Sequence, residues 1–163
     1  MPAIRIRPAE AADAGEILAM VRELAIYERE PLSSVEATEA DYRRDCFGPN
    51  RRCEVLMGEV DGRIQGFVMF FHNYSTWVGR AGLHVEDFFV REAARGVGLG
   101  KRLLAAVARI AIERNFKRVD LAVLEWNPAR KMYEHLGFTD QSHWVPYRLA
   151  GEDVARLAAE SDQ

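Results

Sequence analysis

Three glycines at alternate positions, Gly96, Gly98 and Gly100, stand between a β-rich run and a helix-periodic one, in the stretch Arg95-Gly96-Val97-Gly98-Leu99-Gly100-Lys101. Glycines at a helix entrance let the backbone turn sharply and keep side chains away from an approaching anion. Unpaired N–H groups and the helix dipole favour negative charge at the same place. Arg95, Lys101 and Arg102 add positive charge beside that backbone. The chemistry indicated is capture of a phosphate-like anion in a nest of amides; a glycine-rich turn with solvated charges is the plainer alternative. A second set of residues could handle protons and cations. Glu86 and Asp87 interrupt an apolar strand, and alternation puts His84, Glu86 and Phe88 on one face with Val85, Asp87 and Phe89 on the other. Glu28 falls in the middle of an apolar helical arc formed by Ile17, Val21, Leu24 and Ala25, where a carboxylate faces a cleft or a partner unless the helix end has frayed. Glu16, Glu23 and Glu30 fall on the opposite side and read as a solvated face.

The elements that must carry these residues can be read from periodicity and punctuation. Residues 4–8 alternate apolar and charged, the pattern of a half-buried strand closed by Pro8. A helix is expected over about residues 13–30, and Thr38 followed by Asp41 makes a capping box for a second, short helix ending at Gly48. Residues 53–60 and 63–74 are β-rich runs joined by Asp61-Gly62, a hairpin signal that pairs them antiparallel. A strand over 83–90, the glycine loop, a helix over about 98–115 and a strand over 119–124 follow. A short helix over 129–136, stopped by Gly137, and a last strand over 144–149 complete the order. With no internal repeat or linker, residues 1–163 read as one mixed α/β (α+β) domain with a helix-flanked sheet.

Which anion the loop takes is narrowed by what it lacks. A Walker A loop would need Ser or Thr after its lysine, but Lys101 is followed by Arg102, and Arg95 occupies the place of the first glycine. A dinucleotide fingerprint read from Gly98 meets Leu103 at its third glycine position, and Asp120 lies near the start of the next strand rather than its end. The pattern Arg-x-x-Gly-x-Gly that remains, Arg95 to Gly100, resembles the GNAT superfamily of N-acetyltransferases. The blocks Glu23-Leu24-Ala25-Ile26-Tyr27-Glu28, Phe47-Gly48, Trp77-Val78-Gly79, Glu86-Asp87-Phe88-Phe89-Val90 and Glu125-Trp126-Asn127 are similar, in the same order, to the diamine (spermidine/spermine) and thialysine N-acetyltransferase branch.

The resemblance implies the GNAT fold, a mixed and mostly antiparallel central sheet flanked by helices, and a homodimer. It also implies acetyl-CoA as co-substrate. Phe88, Phe89 and Val90 would offer backbone groups to its pantetheine arm, Arg95 and the loop Gly96, Val97, Gly98, Leu99, Gly100 and Lys101 would hold its pyrophosphate, and Asn127 would lie near the pantetheine. Tyr133 would stand at the thiol as general acid, although Asn127 and Tyr133 are one residue closer than is usual in the family. Tyr27, Glu28, Glu86, Glu125 and Trp126 would line the acceptor site, with Glu86 relaying the amine's proton through water and Asp87 serving structure. The proton chemistry such a transfer requires is definite. An alkylammonium of pKa about 10.4 is the free amine in only roughly 1 of 2,500 molecules at pH 7, equivalent to about 4.6 kcal/mol. The departing thiolate must gain a proton, which a phenol of pKa about 10 is suited to donate. Residues 142–149 lack the acidic side chains of polyamine-specific relatives, which favours a shorter or less cationic acceptor. An acyl-CoA sensor without turnover is the non-enzymatic alternative.

Composition agrees with a folded domain and with no polyanionic partner. The chain has 163 residues, 48% hydrophobic, and a formal net charge of -3, so it has no global basic field for nucleic acid or an anionic membrane. Cys46 and Cys53 have neither CxxC spacing nor a neighbouring histidine and read as ordinary reduced thiols, and the four histidines are scattered, so no metal is expected. No apolar run of membrane-spanning length or signal-peptide form occurs, and the expected location is the cytoplasm.

Overall fold

The computed structural model describes residues 1–161, which fall into two units, one of Met1–Trp126 and one that begins at Asn127. The first holds a five-stranded sheet whose strands lie in chain order: β1 (Ile4–Pro8), β2 (Glu54–Val60), β3 (Arg63–Ser75), β4 (Arg80–Val90) and β5 (Val119–Leu121). The first three pairings are antiparallel, and β5 joins β4 in parallel. This is the mixed, mostly antiparallel sheet the sequence leads one to expect. The β2–β3 turn is Asp61-Gly62, with φ of 49° and 77°, the left-handed pair that a tight hairpin requires.

Helices α1 (Ala14–Tyr27) and α2 (Glu39–Phe47) cover one face of the sheet and α3 (Leu99–Glu113) the other. On the α3 face, Leu56, Val68, Phe70, Leu83 and Val85 pack with Leu99, Leu103 and Val107. On the opposite face Val55, Met57, Phe67, Met69 and Phe89 pack with Ile17, Met20, Leu24 and Cys46. Phe67 and Phe70 are wholly buried, each on one of the two faces, and removing such a side chain from water contributes about 1.5–3 kcal/mol. The capping box of α2 forms as read: Thr38 Oγ1 accepts the Asp41 N–H (3.3 Å) while Asp41 Oδ2 accepts the Thr38 N–H (2.8 Å).

The second unit carries α4 (Ala129–His135) and α5 (Glu152–Ala158). Gly137, at φ 96°, ends α4, with its N–H donating to the Glu134 carbonyl and the Phe138 N–H donating to that of Tyr133. Two expectations need correction here. Among the described residues no strand forms over 144–149, where Pro146 lacks a donor and Trp144, Tyr147 and Leu149 are exposed. A run of β-favouring residues makes a strand only when a neighbour completes its ladder. Helix α5 was not foreseen, and β5 is shorter than the run 119–124. No helix among the described residues is long and apolar enough to cross a membrane.

Candidate active site

β4 leads straight into the glycine loop, and its register explains how one strand serves two purposes. Asp87 pairs with Met69 and Val85 with Phe70, so Glu86 is an extra residue in β4, a β-bulge. The bulge overturns the simple alternation expected for this strand. Val85 and Phe88 pack on the α3 face, whereas Phe89 packs on the α1 face, because the extra residue shifts the phase of the pleat. The parallel ladder to β5 runs only from Leu83 to Val85, and β4 continues beyond it through Phe88, Phe89 and Val90. Bulge and ladder end coincide at Glu86.

Past Val90 the chain makes a short 3-10 turn (Glu92–Ala94) and enters the loop. Gly96 has φ 80° and Gly98, the N-cap of α3, φ 93°. A Cβ built on either would meet nothing within 4 Å, so both glycines border open space. Gly98 has no side chain to cap α3, and the first turn of that helix contains no acidic residue. The leading amides of a 15-residue helix therefore face the opening, the arrangement that holds phosphate-type anions. Lys101 and Arg102 lie in that first turn, Arg102 reaching the Ile4 carbonyl (3.4 Å). Arg95 does more than add charge: its Nε donates to the Val90 carbonyl (3.0 Å), and its guanidinium lies 4.9 Å above the Tyr27 ring.

Tyr27 in turn meets Trp126 (ring centroids 5.9 Å apart), over which the Arg29 guanidinium lies at 4.1 Å. The expected acceptor residues Tyr27 and Trp126 are thus in contact, and Arg95 links them to the loop. Next to them is an acidic group. Glu28, the C-cap of α1, is half-buried, and burial followed by the charge of Glu30 raises its pKa. Glu86 at the bulge is largely exposed, 3.8 Å from His84 Nε2. Burial, then the charges of Glu86 and Glu28, push Asp87 up to about 6. Tyr42 of α2 belongs to the same group, its phenol pushed up to about 12 by burial and by Asp87. The sequence reading took the acidic pair in this apolar strand as a signal and gave Asp87 a structural role, and it did not single out Tyr42, whose place beside Asp87 depends on how α2 packs on the sheet.

Glu16 and Glu23 are not the solvated face expected of them. Arg91, directly after β4, donates to Glu16 Oε1 (2.7 Å), to both Glu23 oxygens (2.6 and 3.0 Å) and to the Ile64 carbonyl (3.1 Å). The clamp ties α1 to the start of the loop across 75 and 68 positions of sequence. In the second unit, the Asn127 side-chain oxygen accepts the Ala129 N–H (2.9 Å), capping the start of α4. Tyr133, on α4, sets its ring edge-on to that of Phe138 (5.7 Å).

Comparison with known proteins places these features among relatives. The model of the family described as Acetyltransferase (GNAT) family matches residues 17–138. Thialysine N-epsilon-acetyltransferase of Mus musculus is 34% identical across 97% of this chain and 99% of its own length. Spermidine/spermine N(1)-acetyltransferase-like protein 1 of Homo sapiens is also 34% identical, across 98% of this chain but 24% of that longer protein. Among solved structures, an integron cassette protein from the mobile metagenome of V. cholerae aligns with a TM-score of 0.77 over 95% of this chain and 97% of its own, at 24% identity.

Proposed function

The chain belongs to the GNAT acetyltransferase family, and from that premise we propose that it moves an acetyl group from acetyl-CoA to a primary amine of a small diamine, polyamine or thialysine-like acceptor. The observation that carries the acceptor class is the group of Glu28, Glu86 and Asp87 at the end of α1 and the bulge of β4. Asp87, whose proton affinity is raised by burial and then by the charges of Glu86 and Glu28, is relieved by a bound cation. Two relatives whose names specify thialysine and spermidine/spermine point the same way. Residues 1–163 act as one acetyltransferase domain in this reading, supported by a family match that runs across both units.

The residues present fit the co-substrate. Gly96 to Lys101 and the leading amides of α3 hold the pyrophosphate, with Arg95 fixing the loop's entry to Val90 and Tyr27. The strand edge at Phe88, Phe89 and Val90, beyond the end of the β5 ladder, takes the pantetheine arm, with Asn127 assisting. Acetyl-CoA supplies an acetyl thioester. Tyr27, Trp126, Glu125 and the carboxylates hold the acceptor, and Glu86, the exposed member, passes the amine's proton to water. The nitrogen forms the new amide bond as the carbon–sulfur bond breaks, and Tyr133 gives its phenol proton to the leaving sulfur. The enzyme works in the cytoplasm as a homodimer. The test is acetyl-CoA-dependent thiol release across thialysine, lysine, putrescine, spermidine and spermine, with the parent and Tyr133→Phe. A cationic diamine or thialysine-like amine should be the best acceptor, and the variant should keep cofactor affinity while losing roughly 10²-fold in turnover. Release with none of these acceptors would overturn the acceptor class, and parental turnover in Tyr133→Phe would remove the acid role.

A further inference from the structure

Cys46, in the last turn of α2, and Cys53, just before β2, bring their sulfurs to 3.0 Å, although nothing in their spacing suggested a pair. Both are free thiols. Their approach is built into the backbone: the Asp45 carbonyl accepts the N–H of Arg52 (2.7 Å) and that of Cys53 (3.4 Å), so the end of the helix and the start of the strand are joined beside the two side chains. A disulfide requires an S–S distance of about 2.05 Å, within reach of a movement of about 1 Å.

We propose that Cys46 and Cys53 form a reversible dithiol–disulfide pair that closes on exposure to a peroxide-class oxidant and reopens with a thiol-class reductant. The two thiols are unequal in a way that orders the chemistry. Cys46 is buried in the core between α2 and the sheet, whereas Cys53 is half-buried and open to a small reagent. The two sulfurs lie within hydrogen-bond reach of each other, so a thiolate on one is stabilised by the thiol of the other, and exposure favours Cys53 for that role. Cys53, as thiolate, is the nucleophile. It attacks one peroxide oxygen, the O–O bond breaks, and hydroxide leaves to be protonated to water, giving a Cys53 sulfenic acid. The Cys46 sulfur then attacks Cys53 sulfur, loses its proton, and displaces the sulfenic oxygen as a second water. Two thiols and one peroxide become one disulfide and two waters.

Closure would staple the C-terminal end of α2 to β2. Tyr42 lies one turn earlier on α2 than Cys46 and is the helix's contribution beside Asp87, so the bond holds one wall of the acidic group. That consequence rests on the acceptor reading above; the bond itself does not. The experiment is peroxide treatment of the reduced full-length protein, alkylation of surviving thiols, and intact mass under non-reducing conditions, with Cys53→Ser in parallel. The expected result is a single-chain species that has lost two hydrogens and takes no alkyl group, returning to two alkylatable thiols with dithiothreitol. In Cys53→Ser no such species should form. Two thiols still alkylated in the parent, sulfinic acid without a bond, or a bond only between chains would each overturn the pair, whatever the enzyme's acceptor proves to be.

Discussion

Asp87 sits where folding and binding make opposite demands on one carboxyl group. Burial and the neighbouring Glu86 and Glu28 raise its pKa from an ordinary 3.8 to about 6, so the fold holds the charged form at a disadvantage of about 3 kcal/mol. With the folded value above the unfolded one, this group's penalty is absent below about pH 4 and grows as pH rises to about 6. Asp87→Asn should therefore be more stable than the parent at pH 8, by up to about 3 kcal/mol, with the difference vanishing near pH 4. Urea unfolding at the two pH values measures it, and an Asn variant no more stable at pH 8 would mean that Asp87 finds compensation in the fold. Binding a cationic amine is what would offset the penalty.

Glu28 is the distal partner in that reading. A charge-assisted contact contributes about 1.5–3 kcal/mol, so Glu28→Gln should lower kcat/KM for a dicationic acceptor by roughly 10- to 150-fold. A monoamine of similar length should lose far less. Equal losses for both acceptors would mark Glu28 as a support for the α1 end, and no loss in either would take it out of the site.

Among the elements, the loop that opens α3 leaves its glycines bordering open space at the helix start, and in the proposed reading its amides hold the pyrophosphate. Gly98 combines φ 93° with open space at the Cβ position, so Gly98→Val both strains the backbone and places a side chain where an anion would lie. The parent's melting temperature should rise by roughly 5 °C or more at an acetyl-CoA concentration of about 100 times Kd. Gly98→Val should show little or none of that rise. A full ligand-induced shift in the variant would sink the assignment of the loop. The side chains of the strand before the loop serve the core, since the bulge at Glu86 lets Val85 and Phe88 fill one side of the sheet while Phe89 fills the other. The Arg91 clamp to Glu16 and Glu23 then secures the strand end to α1.

At the scale of the whole molecule, the features legible in the sequence were those set by residues a few positions apart. The Thr38–Asp41 box, the Asp61-Gly62 hairpin, the periodicity of α1 and α3 and the glycine loop are local: backbone sterics, capping and apolar spacing decide them before any tertiary partner is known. Residue spacing in those blocks also carried the family. What only the tertiary structure decided depends on partners far along the chain. The phase of β4 depends on how β3 pairs with it, so the bulge that divides the faces at Glu86 could not be read from β4 alone. The perturbation of Asp87 comes from burial, with Glu86 and then Glu28 of α1 adding to it, and that of Tyr42 from burial and then Asp87 of β4. Glu16 and Glu23 read as solvated until Arg91 arrives, and the sulfurs of Cys46 and Cys53 read as unrelated until the Asp45 carbonyl joins helix to strand. Residues 144–149 err in the other direction, a strand-like run for which the described residues supply no ladder. Local conformational preference is written residue by residue, but charge, proton affinity and strand pairing belong to pairs, and the fold chooses the pairs.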